Sequence, residues 1–316
     1  MSLPDFTVYQ GSKKKVLITG GSGFIGKKLV QVLLTLNHEI TLLSRNVSAA
    51  VKEINGKATI ITDFSEIDDN SKFDVIINLA GEPLAQGRWT KKRKEKFVAS
   101  RLAITSDICE LCNRLNHKPE VLINGSAIGY YGPHKNDFLD ESGRVVDCFS
   151  HELCRRWEEQ ALKAKTQETR VCLLRIGIVL GDNGGPFSEL RLPFEYGISM
   201  QISNGQQWMS WIHRDDLIAM ILHIMNQSDI HGAINATAPN PVTNKEFGDT
   251  LSLYLKTFIR IRVPGKLLSL IVGELADEVL ITGQRVIPVK IQSTGFNFAY
   301  PKLHHAFEEL IGLPLE

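Results

Sequence analysis

The stretch VLITGGSGFIG, residues 16–26, decides the fold of this chain. A β-branched apolar run leads into glycines spaced G-x-x-G-x-x-G, and a pattern of helical period follows over residues 25–36. Gly20 allows a tight turn, Gly23 lets backbone amides approach a diphosphate, and Gly26 lets the helix pack closely against the strand. The stretch therefore predicts the first βαβ unit of a dinucleotide-binding domain. Its expected cofactor contacts are Gly20, Gly23, Phe24, Ile25 and Gly26.

Outward from this unit, short apolar runs alternate with helical patterns over the first 180 residues. Strands alternating with helices are typical of a parallel sheet whose crossover helices cover both faces. The expected fold class is therefore α/β, a doubly wound Rossmann sheet. We predict strands at residues 16–19, 40–43, 59–61, 75–79, 121–124 and 171–176. We predict helices at residues 25–36, 91–115 and 152–164.

After residue 180 the pattern changes, which indicates a second lobe. GDNGGPF opens an irregular stretch, and turn-forming clusters such as TAPNPVTN separate the later elements. A helix at residues 215–225 and a strand at residues 233–236 are expected to return to the first sheet. The predicted boundaries are 13–180 with 213–237 for an NADP-binding Rossmann domain, and 181–212 with 238–316 for a smaller C-terminal α+β substrate-binding lobe.

The tip of the second predicted strand, TLLSR at residues 41–45, bears on cofactor choice because it carries no carboxylate. An NAD-selective site usually places Asp or Glu there to accept hydrogen bonds from the ribose 2′-hydroxyl. Arg45 instead offers a permanently charged planar fork for a 2′-phosphate, and Ser44 adds a hydroxyl. NADP(H) is therefore the expected cofactor. Contacts expected from their positions after the third and fourth strands are Asp63, Leu79, Ala80 and Gly81.

Composition and charge exclude several classes of partner. The chain has 36 basic and 35 acidic side chains and a formal net charge of +1, so no overall field attracts nucleic acid or an anionic membrane. No window approaches the run of about 18 apolar residues that spans a bilayer, and the N-terminal residues lack the apolar centre of a signal peptide. We therefore expect a cytoplasmic protein that binds a small-molecule substrate, with a homodimer expected by analogy alone.

The five cysteines are scattered through a long chain. A disulfide scaffold is typically a short chain with an even number of cysteines, so this pattern does not indicate one. Cys109 and Cys112 form a CxxC inside a helical pattern, without a second pair of ligands nearby. We interpret them as helix-packing residues and expect no metal site.

Five motifs together resemble the epimerase/dehydratase branch of the short-chain dehydrogenase/reductase superfamily. They are TGGSGFIG at 19–26, NLAGEPL at 78–84, SAIGYYG at 126–132, WIHRDDL at 211–217 and GELADEVLITGQRVIP at 273–288. The closing stretch GQRVIPVKIQSTGFNFAYP is similar to that of the bacterial "epimerase family protein" group, which joins a Rossmann domain to a short C-terminal domain. The resemblance implies an NADP-binding fold. It also implies cofactor contacts from Arg101 and from Val179, the latter in a turn at residues 177–179.

The superfamily's catalytic dyad is missing from the expected helix. Active members pair Ser or Thr with Tyr-x-x-x-Lys, in which the lysine cation lowers the tyrosine pKa from about 10 toward neutrality. When Trp157-Glu158 is aligned with the acidic end of that helix, Ser150 takes the tyrosine position and Cys154 the lysine position. Neither reproduces the dyad. A literal YxxxK at residues 131–135 contains Gly and Pro, which oppose the necessary helical turn.

If the chain is an enzyme, other side chains near the expected nicotinamide position must exchange protons. The candidates are Ser126 at the end of the fifth strand, Tyr130, Tyr131 and Glu82. The superfamily's serine could equally align with Ala127. Packing at the cleft is the alternative for the tyrosines, and capping of a backbone amide is the alternative for Glu82.

Two further groups have competing interpretations. His213 with Asp215 and Asp216 more often caps a helix and fixes the approach of the second lobe than forms a catalytic pair. An aromatic and cationic set is suited either to line a cleft for an anionic or polar substrate or to pack internally; it comprises Trp89, Trp208, Trp211 and Arg285.

The sequence therefore supports two functions. One is an NADP(H)-dependent oxidoreductase or epimerase-like protein that acts on a small carbonyl or hydroxyl compound. The other is an NADP(H)-binding sensor or scaffold that lacks the Tyr-x-x-x-Lys dyad.

Overall fold

The computed structural model describes residues 5–44, 56–84, 87–274, 278 and 281–314. Within these ranges the strands are β1 (Lys15–Thr19), β2 (Glu39–Leu43), β3 (Thr59–Ile61), β4 (Val75–Asn78), β5 (Val121–Ala127), β6 (Phe138–Leu139), β7 (Arg170–Ile176), β8 (Ile178–Leu180), β9 (Ile198–Ile202), β10 (Trp208–Met209), β11 (Trp211–His213), β12 (Gly232–Ala236), β13 (Val242–Thr243), β14 (Ile259–Val263) and β15 (Arg285–Val286). The α-helices are α1 (Phe24–Thr35), α2 (Lys91–Arg114), α3 (Phe149–Leu162), α4 (Gly185–Glu195), α5 (Arg214–Asn226), α6 (Asn244–Leu251), α7 (Gly265–Val272), α8 (Val289–Ser293) and α9 (Leu303–Leu310). Short 3₁₀ turns lie at Phe6–Tyr9, Phe64–Glu66 and Ile128–Tyr131.

The main sheet comprises seven of the described strands, all parallel, in the order β3-β2-β1-β4-β5-β7-β12. From β1 the chain moves outward through β2 and β3, returns to β4, and then moves outward in the other direction. The order therefore reverses beside β1, where the carboxyl ends of β1 and β4 open a crevice. The doubly wound Rossmann fold predicted from the sequence is confirmed.

Helices cover both faces of this sheet because its strands are apolar on both sides. Successive strand residues alternate between the faces, so Leu17 and Ile18 enter different core clusters and both are fully buried. Helices α1 and α5 pack on one face, and α2 and α3 pack on the other. Within the described part of the chain, no helix is both long and apolar enough to cross a membrane.

The remaining strands form two-stranded pairs, β8 with β11, β9 with β14, β10 with β13, and β6 with β15. A third apolar cluster holds α4, α6 and α9 together, and in it the rings of Phe187 and Phe307 stack with centroids 5.5 Å apart. The chain returns to the main sheet at β12, which pairs with β7. The domain boundaries predicted from the sequence stay a prediction.

Two local elements differ from the sequence-based expectation. Helix α3 begins at Phe149, because the Cys148 thiol accepts a hydrogen bond from the His151 backbone amide and caps the helix. The prediction of a turn at residues 177–179 is wrong. Ile178–Leu180 instead forms β8, in which Val179 pairs with Ile212 of β11.

Candidate cofactor and active site

The glycine-rich turn after β1 has the geometry that the motif predicts. Gly20 has φ +76°, and a Cβ there would lie 2.5 Å from the Leu79 carbonyl carbon. A side chain at Gly26 would overlap the Gly20 carbonyl oxygen. Gly23 donates its backbone N–H to that oxygen at 3.0 Å and is the residue before α1. The backbone therefore fixes the start of α1 close to the ends of β1 and β4.

The start of α1 fits a diphosphate. Ser22 and Gly23 are exposed, Phe24 and Ile25 are half-buried, and the first turn of the helix contains no acidic side chain. Backbone N–H groups and the helix dipole at such a terminus attract anions. Gly20, Gly23, Phe24, Ile25 and Gly26 thus lie together at the crevice, and their contact with a cofactor stays a prediction.

The tip of β2 contributes one described residue of the predicted pair. Ser44 is 8% exposed and donates its backbone N–H to the Ile61 carbonyl at 3.0 Å. Arg45 lies outside the described residues. Asp63, after β3, accepts a 2.8 Å hydrogen bond from the Ser65 backbone amide and caps the short turn that follows. Hydrogen bonding to Ser65, first from its side chain and then from its backbone amide, holds the pKa of Asp63 below its usual value.

The segment after β4 lies directly against the glycine-rich turn. Leu79 donates its backbone N–H to the Thr19 carbonyl at 3.0 Å, and Ala80 donates to the Asn78 side chain at 3.2 Å. Gly81 lies beside the guanidinium of Arg101, because a Cβ at Gly81 would be 3.0 Å from Arg101 Cζ. The predicted contacts from these segments are therefore adjacent in space.

The Arg101 side chain is hydrogen-bonded to the backbone of Glu82. Arg101 is 7% exposed, donates to the Glu82 carbonyl at 3.1 Å, and lies over the Trp157 ring at 5.0 Å. Burial lowers the pKa of Arg101. The Glu82 carboxylate accepts a 2.8 Å hydrogen bond from Lys96, and the Glu82 backbone amide donates to Ser100. The Glu82 carboxylate is thus engaged in an ion pair.

Val179 was predicted as a cofactor contact in a turn. It is 4% exposed and belongs to the core cluster beneath α1 and α5. The prediction that Val179 lies in a turn is wrong, because β11 pairs with this segment and makes it a strand. A pairing between residues 33 positions apart has no signature in a local motif.

Ser126 is the first of the candidate acid/base groups, and it faces the interior. It is 4% exposed, and its hydroxyl donates a 2.6 Å hydrogen bond to Glu158 Oε1. Glu158 in turn accepts two 3.0 Å hydrogen bonds from Arg175 in a bidentate ion pair. Both charged residues are buried. Ala127, the alternative alignment, is half-buried and supplies no hydroxyl.

Tyr131 closes the same buried network. Its hydroxyl donates to Asn235 Oδ1 at 2.6 Å and accepts from Arg175 at 3.0 Å. Burial raises the pKa of Tyr131 to about 12, against the opposing effect of Arg175. Tyr131 is thus unsuited to proton exchange near neutral pH in this conformation.

Tyr130 is the more accessible of the two tyrosines. It is half-buried, and Arg175 Cζ lies 3.4 Å from the centroid of its ring. The Tyr130 carbonyl accepts a 2.5 Å hydrogen bond from His151 Nδ1, which fixes the backbone of this turn to α3. Tyr130 therefore combines partial exposure with a rigid position at the end of β5.

The two dyad positions of α3 lie against this turn. A Cβ on Gly129 would be 3.1 Å from Ser150 Cβ and 3.8 Å from Cys154 Sγ. Burial raises the pKa of Cys154 to about 12, so its thiol is neutral and cannot replace a lysine cation. The side chains at these positions cannot supply the usual tyrosine–lysine chemistry.

The sequence analysis missed a second buried network of polar side chains, which lies at the carboxyl ends of the strands. Thr19 donates to Asn78 Oδ1 at 2.7 Å, and Asn78 Nδ2 donates to Asn124 Oδ1 at 2.7 Å. Asn78 and Trp157 both donate to Thr105 at 3.0 Å. The available signal was an asparagine that closes each of two apolar strand patterns, VIIN and VLIN.

The aromatic and cationic set separates into two environments. Trp89 and Trp211 are 6% and 0% exposed and pack in apolar clusters, which supports the packing interpretation. Trp208 and Arg285 come together, with Arg285 Cζ 3.8 Å from the Trp208 ring and 3.8 Å from the Phe138 ring.

The His213 cluster has the structural role that the sequence favoured. His213 accepts the Asp215 backbone amide at 3.2 Å as the cap of α5, and its Nε2 lies 2.9 Å from Glu309 on α9. Asp216 accepts the backbone amides of Ala299 and Tyr300 at 2.8 and 3.0 Å. These contacts attach the C-terminal segment to α5.

The cysteines are unpaired thiols. Burial raises the pKa of Cys109 to about 11 and that of Cys112 to about 12. Among the residues that the structure describes, no group of three or more His, Cys, Asp or Glu side chains is arranged to hold a metal ion.

Comparison with known families agrees with this geometry. A family model described as the NAD dependent epimerase/dehydratase family matches residues 16–236, from the start of the glycine motif to the end of β12. The chain belongs to the NAD-dependent epimerase/dehydratase family. A second model, a domain of unknown function called DUF1731, matches residues 263–310 of this family member. The resemblance inferred from the motifs is confirmed, including the short C-terminal domain.

Curated relatives of this epimerase/dehydratase-family chain span nearly its whole length. An epimerase family protein of Staphylococcus saprophyticus is 37% identical over 301 residues, which are 94% of this chain and 99% of the relative. The chloroplastic epimerase family protein SDR39U1 homolog of Arabidopsis thaliana is 36% identical over 306 residues, 95% of this chain and 87% of the relative.

Solved structures show the same architecture. The human epimerase family protein SDR39U1 (isoform 2), crystallised with NADPH, is 29% identical, with a TM-score of 0.82 over 94% of this chain and 99% of that one. A nucleoside-diphosphate sugar epimerase from Corynebacterium glutamicum is 27% identical, with a TM-score of 0.75 over 95% of this chain and 59% of that one.

Proposed function

We propose that this epimerase/dehydratase-family chain binds NADP(H) at the carboxyl edge of its sheet and acts on a small carbonyl or hydroxyl compound. The observation that carries the proposal is the turn at Gly20, Gly23 and Gly26, which leaves the amide end of α1 open to a diphosphate. A bound nicotinamide cofactor supplies hydride transfer. The residues of this chain would bind the cofactor, orient it and exchange protons with the substrate.

The preference for NADP(H) over NAD(H) is supported by the tip of β2. The residues directly after Leu43 include no carboxylate. Ser44 and Arg45 instead offer a hydroxyl and a cation to a 2′-phosphate. The human relative that was crystallised with NADPH points the same way.

Arg45→Ala tests this preference. Loss of a hydrogen-bonded charge pair costs about 1.5–3 kcal/mol, so NADPH affinity should fall about 10- to 150-fold while NADH affinity changes little. Calorimetric titration of both cofactors into wild type and variant measures the two ratios. Equal loss for both cofactors, or no loss for either, would overturn the 2′-phosphate assignment.

For proton exchange the best-placed side chain is Tyr130. Ser126 and Tyr131 each donate their hydroxyl to a buried partner, and Glu82 is paired with Lys96, whereas Tyr130 is half-buried with a rigid backbone. Tyr130 would hold or release a proton at its phenolic oxygen. The ion pair behind it, through Arg175, would hold the ring in place.

A second function, an NADP(H)-binding sensor or scaffold without turnover, is favoured by one specific observation. The dyad positions hold Ser150, which is 5% exposed, and the neutral thiol of Cys154. A panel of aldehydes, ketones and alcohols, monitored at the nicotinamide absorbance, separates the two functions. Turnover that Tyr130→Phe abolishes without loss of NADPH binding supports the enzyme, and tight binding without turnover across the panel supports the sensor.

A further inference from the structure

Helix α1 begins among positive charges, which is unusual for a helix N-terminus. Lys27 and Lys28 lie in its first two turns, and Arg214, at the start of α5, lies over the ring of Phe24, the first residue of α1. The distance from Arg214 Cζ to the Phe24 ring centroid is 5.0 Å. Lys28 pairs with Asp215 at 3.8 Å. The first turn of α1 itself contains no acidic side chain, and the helix dipole disfavours the Arg214 cation at this end. An anion at the start of α1 would offset the Arg214 charge.

The local backbone is built to bring Arg214 to this place. A Cβ at Gly181 would lie 3.0 Å from both Arg214 Cβ and Phe24 Cζ, and one at Gly185 would lie 2.5 Å from the Phe24 ring. Gly185 also has φ +74°, a conformation that favours glycine. The loop between β8 and α4 can therefore lie flat against Phe24 and leave room for the arginine.

The guanidinium of Arg214 is only partly engaged. Among the described residues its hydrogen bond is from Nη1 to the Asp182 carbonyl at 2.7 Å, and its buried Nε has no partner. No described carboxylate lies within ion-pair distance of it. Glu309 is influenced by this charge, since hydrogen bonding to His213 first, and then the charges of His213, Arg214 and Lys28, lower its pKa. The Glu309 carboxylate, however, is bound by His213.

We infer that Arg214 is a cofactor-binding residue that closes over the diphosphate at the start of α1. The inference rests on the proposed binding of NADP(H) and adds a side chain from the second half of the chain to the glycine-rich turn. The guanidinium neutralises part of the diphosphate charge and donates to its oxygens, while the helix amides bind from the other side. Arg214 also joins the loop of residues 181–184 to the cofactor, because it donates a hydrogen bond to the Asp182 carbonyl.

Arg214→Gln tests the inference by cofactor binding alone, without turnover. The diphosphate is common to both cofactors, so affinity for NADPH and for NADH should fall by the same factor, about 10- to 100-fold. This pattern differs from that of Arg45→Ala, which lowers NADPH affinity alone. Binding of 2′-AMP, which carries a 2′-phosphate and no diphosphate, should be unchanged in Arg214→Gln and also shows that the variant is folded.

Arg191→Gln is the matched control. Arg191 lies on α4 near the same loop, 4.0 Å from the Asp182 carboxylate, but its charge is already paired with Glu195 at 2.6 Å. We expect the control to bind both cofactors like wild type. Unchanged NADPH affinity in Arg214→Gln would overturn the inference and leave the proposed function intact. Failure of wild type to bind NADPH would overturn both.

Discussion

Replacement of Glu158 by Gln removes one charge from the buried ion pair at the centre of the candidate active site. The two side chains are 6% and 5% exposed, and three hydrogen bonds of 2.6 to 3.0 Å depend on the carboxylate. The variant leaves the Arg175 charge buried without its partner, which typically costs about 3–5 kcal/mol. At roughly 2–4 °C per kcal/mol, the melting temperature should fall on the order of 10 °C.

Glu159→Gln is the matched control, since it makes the same change one position further along α3. Glu159 pairs with Arg155 on the surface, where the side chains are 57% and 39% exposed. Solvent screens this pair, so its loss should change the free energy of unfolding far less than loss of the buried pair. Urea unfolding followed by circular dichroism gives both free energies. If Glu158→Gln were as mild as Glu159→Gln, the pair would not be buried in solution as described. The double variant Glu158→Leu/Arg175→Met should be less destabilised than Glu158→Gln, because no charge is left unpaired.

Two further perturbations probe the crevice and its attachment to the C-terminal segment. Gly20→Ala should destabilise the protein by more than left-handed backbone strain alone, which is about 1–2 kcal/mol, and should also lower NADPH affinity. Gly295, with φ +81°, has nothing within 4 Å, so Gly295→Ala should cost only that strain. Equal losses of stability in thermal unfolding would contradict this prediction. Burial raises the pKa of Asp216 to about 6, above the value of about 4 in an unfolded chain. The carboxyl therefore stabilises the folded state most below pH 4, and about 3 kcal/mol is lost as the pH rises through 6. The unfolding free energy of wild type should therefore fall by about 3 kcal/mol relative to that of Asp216→Asn between pH 4 and pH 7. A difference between the two that does not change with pH would refute the assignment.

The sequence predicted the features that depend on neighbours along the chain. Glycine spacing, a preceding apolar strand and a following helix are local constraints, so the turn at Gly20 and the sheet edge it occupies were correctly expected. The family motifs were recognised for the same reason. The absence of the Tyr-x-x-x-Lys dyad could also be read directly, because Ser150 and Cys154 are fixed by their spacing on one helix.

What lies beside each candidate was decided only by the tertiary structure. Ser126 bonds to Glu158, 32 residues away, and Tyr131 bonds to Asn235, 104 residues away, so two candidate acid/base groups became parts of a buried network. Arg214 reaches the start of α1 because β11 pairs with β8 and delivers α5 to that corner. Such contacts follow from how strands are ordered in the sheet and how helices pack on it. A local pattern specifies the element, but the energy of burial across the whole fold decides which elements meet.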